Sequence, residues 1–239
     1  MDTVSAGRRE SLPEGDVMDG IVIFGAGGRA GRAATAEARA RGHRVTAVVR
    51  DPGKYGDLAA DGVSVVGGDV TDARGIALAA RGHGAAIHAV SPFTGPEQGF
   101  AALDPEFFVK AAGALLDGLA RAGVPRLVVV GLFAYLRTPG GGLVMDDPGQ
   151  FPPEIRPFAR AHLAGLERLR SADTEVDWLV LTPPALLDSA GPRTGRYRTG
   201  GESVTGAGPL GLSYADLAVA LIDEIESPLH HRAQVSVFD

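Results

Sequence analysis

The 239-residue sequence contains no cysteine. That excludes a disulfide framework, a thiolate nucleophile and a thiolate metal site, and fits a reducing cytoplasm. It has no apolar run long enough to read as a membrane-spanning helix. The first residues, MDTVSAGRRESLPEGDVMDG, carry two arginines but no apolar stretch of about 7–15 residues behind them, so no secretory signal is expected. Basic excess is lacking too. The chain has 23 Lys and Arg against 29 Asp and Glu, a formal charge of −6, so any phosphate-gripping site must be a local basic cluster in an acidic background. These absences point away from nucleic acid and membrane and toward a small-molecule partner, with the protein a monomer or homodimer.

What is present is a regular alternation. Apolar runs at 21–24, 45–49, 63–66, 85–90, 126–130 and 178–181, and a last one at 234–238, read as strands. Helical patterns occupy 33–41, 73–81, 105–122, 153–171 and 214–226. In the third of these, Phe107, Phe108, Ala111, Leu115 and Leu119 recur at three- and four-residue steps. Strands that are continuously apolar rather than alternating imply a parallel sheet covered on both faces, a doubly wound α/β fold. Residues 1–17 read as a flexible tail and 18–239 as a single domain. Two loop-rich regions, 131–152 and 183–213, follow strands at the carboxyl edge of such a sheet, where ligands bind in open α/β folds.

The stretch "FGAGGRAGR" (24–32) joins the first strand to the first helix. Its spacing is Gly25-x-x-Gly28-x-x-Gly31. Gly25 permits the sharp turn, Gly28 lets the backbone approach a pyrophosphate, and Gly31 lets helix and strand pack closely; the helix N-terminus adds free N–H groups and partial positive charge. Glycine is abundant in this chain (34 residues), so the motif draws its weight from its strand–turn–helix context. Arg50 ends the second strand where an acid would select NADH through the ribose 2′-hydroxyl, and an arginine there suits a 2′-phosphate. Arg29 in the turn and Lys54 beyond the strand could join it. The cofactor expected on these grounds is NADPH. Asp69, at the end of the third strand, sits where such folds approach the adenine ring, while Asp72 is the better helix cap.

Taken together, "IVIFGAGGRAGR" (21–32), "VVRDPGK" (48–54), "GGDVTD" (67–72), "RLVVVG" (126–131), "LTPPALL" (181–187) and "GPRTGRYRTGG" (191–201) resemble the atypical short-chain dehydrogenase/reductases of the NmrA-like, NAD(P)H-binding group. Within that group the chain is similar to the NAD(P)H-dependent flavin reductase and biliverdin reductase B type proteins, and the resemblance spans nearly the whole Rossmann domain. It implies that Gly25, Gly28, Arg29 and Gly31 hold the pyrophosphate, Arg50 the 2′-phosphate, and Asp69 with Val70 the adenine; Gly27, Ala30 and Lys54 are further cofactor-binding candidates. Ala89, Val90, Ser91 and Pro183 would border the nicotinamide half. Pro92, Phe93, Phe133, Tyr135, Phe151 and Pro184 are the substrate-side candidates.

One departure is informative: the Tyr-x-x-x-Lys pair of the wider superfamily is missing. Reduction of a carbonyl needs a proton donor at the developing alkoxide, and only Tyr135 and His162 are candidates. Hydride transfer to a flavin, quinone or other conjugated acceptor relaxes that demand, because charge is delocalised and solvent can deliver the proton. Phe133 and Tyr135 could stack on such an acceptor. Two other readings stand beside this one: an NADP(H)-binding redox sensor without turnover, and a biosynthetic ketoreductase, dehydratase or cyclase on the same fold. His88 is expected to make a core hydrogen bond. His230 and His231, adjacent and diverging, make a poor metal pair, so no metal is expected. Asp146 and Asp147 read as solvated turn charge.

Overall fold

The computed structural model describes residues 20–92, 103–204 and 211–239. The expected tail lies outside these residues. The chain runs β1 (Gly20–Phe24), α1 (Arg29–Ala40), β2 (Val45–Val49), β3 (Val63–Gly67), α2 (Ala73–Ala79), β4 (His83–His88), α3 (Phe107–Ala122) and β5 (Arg126–Val130). It continues with α4 (Arg156–Arg170), β6 (Asp177–Thr182), β7 (Leu186–Asp188), β8 (Arg198–Thr199), β9 (Gly211–Ser213), α5 (Tyr214–Glu226) and β10 (Ala233–Phe238). The main sheet has the order β3-β2-β1-β4-β5-β6-β10-β8. Its pairs are parallel except β8, which runs antiparallel to β10. β7 and β9 form a separate parallel pair beyond β6.

The two-residue period of a strand explains why these strands are apolar throughout. Val22 and Phe24 of β1 point into one core, shared with Ile76, Leu115, Leu127 and Trp178, beneath α2, α3 and α4. Ile21 and Ile23 point into the other, with Val128, Leu179, Leu217 and Leu221, beneath α1 and α5. A fully buried aliphatic side chain contributes roughly 1.5–3 kcal/mol, so both faces must be covered before such strands become stable. The doubly wound expectation therefore holds. α1 starts four residues earlier than its apolar pattern indicates, at Arg29, because its first turn belongs to the glycine stretch.

At the opposite, amino edge of the sheet, Arg126 is buried in an ionic cluster. Its guanidinium meets Asp177 at 2.6 Å and Glu224 at 3.0 Å and donates to the Glu224 and His230 carbonyls. His230 bonds Glu224 at 2.6 Å and His231 bonds Asp177 at 2.7 Å. These histidines hold down the chain before β10, each on its own carboxylate.

Candidate functional site

The strand order reverses between β1 and β4, so the crevice outside their carboxyl ends is the topological switch point. Gly25 sits there with φ +85°. A Cβ on it would lie 2.7 Å from the Ala89 carbonyl and 2.8 Å from the Val90 nitrogen. A Cβ on Gly31 would lie 2.1 Å from the Gly25 oxygen, so α1 packs directly on the turn. Gly28 is different: it is exposed, and a Cβ there would meet only the Gly25 oxygen, at 3.5 Å. Gly28 is also the N-cap of α1. No side chain among the described residues caps this helix, and its first turn holds no acid. An uncapped helix N-terminus opening onto free space beside a glycine is a fit for the pyrophosphate of a dinucleotide.

The charged groups around this turn divide by environment. Arg50 is exposed at the end of β2, and its charge helps hold the Asp69 carboxyl below the usual range. Asp51, which follows it, is engaged by Lys54 at 3.5 Å and by the Gly53 N–H at 3.2 Å. Arg29 is exposed and lies 5.3 Å from the Tyr214 ring centroid at the start of α5. Asp69 accepts from the Thr71 amide at 2.8 Å and its hydroxyl at 2.7 Å; those bonds are the main cause of its lowered pKa. It closes a turn, and Val70 beside it is buried. Asp72 caps α2 by accepting from the Arg74 N–H at 3.0 Å, as its position indicated.

The expected substrate side is rearranged by burial. Tyr135 lies in a short 3-10 turn after β5 and is only 3 % exposed. Its hydroxyl accepts from the Leu132 N–H at 2.9 Å and lies 3.4 Å from His162 Nδ1, with Thr182 as a further hydrogen-bond partner. Burial raises its pKa above that of a free phenol. Its ring therefore has no open face on which an acceptor could stack, contrary to the stacking expectation. Phe151 is likewise buried, packed against Phe133 at 5.7 Å, and Phe133 is partly exposed. Pro183 is buried and Pro184 half-buried at the end of β6, and Ala89, Val90 and Pro92 are half-buried and Ser91 exposed beyond β4. Phe93 lies outside the described residues.

His162 packs against Phe108 at 4.1 Å and Tyr135 at 5.6 Å, and burial lowers its pKa to about 3. The ring is a neutral imidazole at working pH. His88 also lies in this region, 6 % exposed, its pKa lowered to about 4 by burial. The core hydrogen bond expected of it is missing at Nδ1, which has no partner among the described residues. His88, Tyr135 and His162 line a small cavity with Phe108, Val129 and Leu166. Its space of about 20 Å³ suits a single water. Drug-sized ligands need roughly 300 Å³ or more, so this cavity is too small to hold one.

Within 183–213 the described residues are 183–204 and 211–213. Residues 192–197 run as a strap across α1 and α5. Arg193 forms a two-bond pair with Glu37, both at 2.7 Å, and the Thr194 and Gly195 amides donate to Asp216. The Ser213 hydroxyl donates to the Pro192 carbonyl, and Tyr197 donates to Asp223 at 2.7 Å. In the 131–152 loop, Asp147 closes a turn through the Gly149 and Gln150 nitrogens, as expected of solvated turn charge. Three residues that sequence reasoning missed adjoin the glycine turn: Arg32, Tyr55 and Asp57. No spacing rule links them, since they meet only when the segment after β2 folds back.

Fold and turn together define a dinucleotide-binding α/β domain. The chain belongs to the NAD(P)H-binding family, whose model matches residues 25–228. It is 34% identical over 223 residues to the uncharacterized protein YwnB of Bacillus subtilis, covering 91% of this chain and 97% of that one. A crystal structure named "putative epimerase" from Bacteroides thetaiotaomicron superposes with a TM-score of 0.79 at 32% identity, covering 92% of this chain and 97% of the other. A "putative NADH-flavin reductase" from Streptococcus pneumoniae gives 0.76 at 28% identity, with 92% and 99% covered. No helix among the described residues is long and apolar enough to cross a membrane.

Proposed function

We propose that this protein is an NADPH-dependent reductase, a single domain over residues 18–239, that passes hydride to a flavin, quinone or other conjugated small molecule in the cytoplasm. The observation that carries the reading is Arg50, exposed at the end of β2 beside an uncapped glycine turn, with Asp51 already engaged by Lys54. The guanidinium suits a 2′-phosphate through paired charge-assisted hydrogen bonds. The family and the flavin reductase named among the structural relatives support an oxidoreductase.

When bound, the nicotinamide supplies a hydride, and the balance is NADPH, one proton and acceptor giving NADP⁺ and reduced acceptor. Gly25, Gly28 and the α1 N-terminus hold the pyrophosphate; Arg50 holds the 2′-phosphate. Ala89 to Pro92, with Pro183 and Pro184, bound the nicotinamide half, and Phe133 offers an apolar edge to the acceptor. Solvent delivers the proton, because the neutral His162 ring and the Tyr135 hydroxyl are turned into the protein. That same feature favours the second reading, an NADP(H) sensor without turnover.

Two measurements test this. Purified protein is mixed with NADPH and a panel of flavins and quinones, and nicotinamide absorbance is followed; oxidation with at least one acceptor is expected. Tight NADPH binding without any oxidation would favour the sensor. Arg50→Ala is expected to weaken NADPH by at least about tenfold while leaving NADH nearly unchanged. Equal weakening of the two cofactors removes the 2′-phosphate assignment.

A further inference from the structure

We propose that Tyr55 and Arg32 form a clamp that docks the segment after β2 onto the glycine turn and so fixes Arg50 for the cofactor's 2′-phosphate, with Gly27 kept as glycine to admit the Tyr55 ring. The inference rests on the NADP(H) reading above and adds residues to its selectivity.

The first observation is a space that only glycine leaves. A Cβ on Gly27 would lie 2.4 Å from Tyr55 Cε1 and 2.6 Å from Cζ, so the ring packs directly on the Gly27 backbone. Gly27 is not among the positive-φ glycines. A side chain at this position would therefore displace the Tyr55 ring from the turn.

The second observation is independent. Arg32, one turn into α1, reaches back and touches three partners at once. Its Nε donates to the Gly27 carbonyl at 3.1 Å, its Nη1 meets Asp57 at 2.5 Å, and its guanidinium lies 5.7 Å from the Tyr55 centroid. Turn, ring and carboxylate are thus joined through one planar group, which lowers the Asp57 pKa and raises that of Arg32.

These contacts are poorly explained as stabilisation of the fold. The Arg32 and Asp57 side chains are 41% and 61% exposed, and solvent-screened pairs of this kind add little to stability. Their effect is on position. Between Arg50 and Asp57 the chain makes two 3-10 turns, Pro52–Lys54 and Gly56–Leu58, with Asp51 capping the first. β2 anchors this short segment at one end and the clamp anchors it at the other. Arg50 stands at the strand end, and Tyr55 stands on the turn that receives the phosphates. Fixing both ends before the cofactor arrives lowers the ordering cost of binding. The gain falls on the adenosine half, where NADPH and NADH differ.

The test compares Gly27→Ala, Tyr55→Ala, Tyr55→Phe and Arg50→Ala, with NADPH and NADH dissociation constants from calorimetry and melting temperatures as a check on folding. Tyr55→Ala is expected to weaken NADPH about fivefold or more, with NADH changed by less than about twofold, and Tyr55→Phe to restore wild-type binding; Gly27→Ala, which alters the shared phosphate turn as well, is expected to weaken NADPH more than NADH. NADPH affinity within twofold of wild type in both Gly27→Ala and Tyr55→Ala, while Arg50→Ala loses it, overturns the clamp and leaves the cofactor reading intact. So does an equal loss for both cofactors, or a Tyr55→Phe variant as weak as Tyr55→Ala. If Arg50→Ala also binds normally, the cofactor reading falls and the clamp with it.

Discussion

His162 and Tyr135 were the two side chains able, by type, to give a proton to a substrate, and their surroundings decide against that role. His162 is held neutral between Phe108 and the Tyr135 phenol, whose hydroxyl is bonded to the Leu132 amide. General acids contribute about 10²–10⁴-fold to rate. With solvent as donor, Tyr135→Phe and His162→Ala should each lower kcat by less than about tenfold, and kcat should show no inflection near the pKa of about 6.5 of a free histidine. Steady-state kinetics from pH 5 to 8 checks this. A hundredfold loss in either variant would make that residue the donor. The residue types were legible in the sequence; the enclosure of Tyr135 and the packing of His162 against it were not, because they depend on α3 and α4 closing over β4 and β5.

At the scale of the element, the β1–turn–α1 unit contains two glycines with opposite roles. Gly31 is glycine for packing, since a methyl group there would strike the Gly25 carbonyl; Gly28 opens onto solvent. Gly31→Ala should therefore cost about 1–3 kcal/mol of stability as an overpacked site. Gly28→Ala should cost less, about 1 kcal/mol at most, as the change from glycine to alanine at an N-cap, and still weaken NADPH, because its methyl group would enter the proposed phosphate space. Urea unfolding with cofactor titration separates the two. A loss in Gly28→Ala as large as that in Gly31→Ala, or none in Gly31→Ala, would contradict this division. The strand–turn–helix was readable from the apolar run and the glycine spacing. The role of Gly27 was not, because it depends on Tyr55, which lies 28 residues further along the chain.

For the whole molecule, acid has one sign. Burial lowers His88 to about 4 and His162 to about 3, so the unfolded chain takes up protons below its histidine pKa of about 6.5 that the native state refuses. Glu37 is lowered to about 2, chiefly by its hydrogen bonds from Arg193, against burial. Stability from all three is present at neutral pH. The histidine part is lost as pH falls from about 6.5 toward 3, and the Glu37 part as it falls from about 4.5 toward 2. Urea unfolding at pH 7, 5 and 3.5 should show a continuous decline. His162→Gln should flatten its upper part, and the deficit of Glu37→Gln should shrink below about pH 4.5. Slopes unchanged by both substitutions would refute the assignment.

What the sequence determined by itself is the part written in local period and local chemistry. Continuous apolar strands between amphipathic helices require a sheet covered on both faces, and a glycine turn between the first strand and helix, followed by Arg50, marks the side proposed for the cofactor. Only the tertiary structure decided which groups meet across the chain. It enclosed Tyr135 and Phe151 where an open wall was expected, and laid residues 192–197 across α1 and α5 through Glu37, Asp216 and Asp223. It also set Tyr55 on Gly27. The physical reason is that periodicity records which face of an element is buried, while enclosure and ion pairing depend on partners brought near by the packing of other elements.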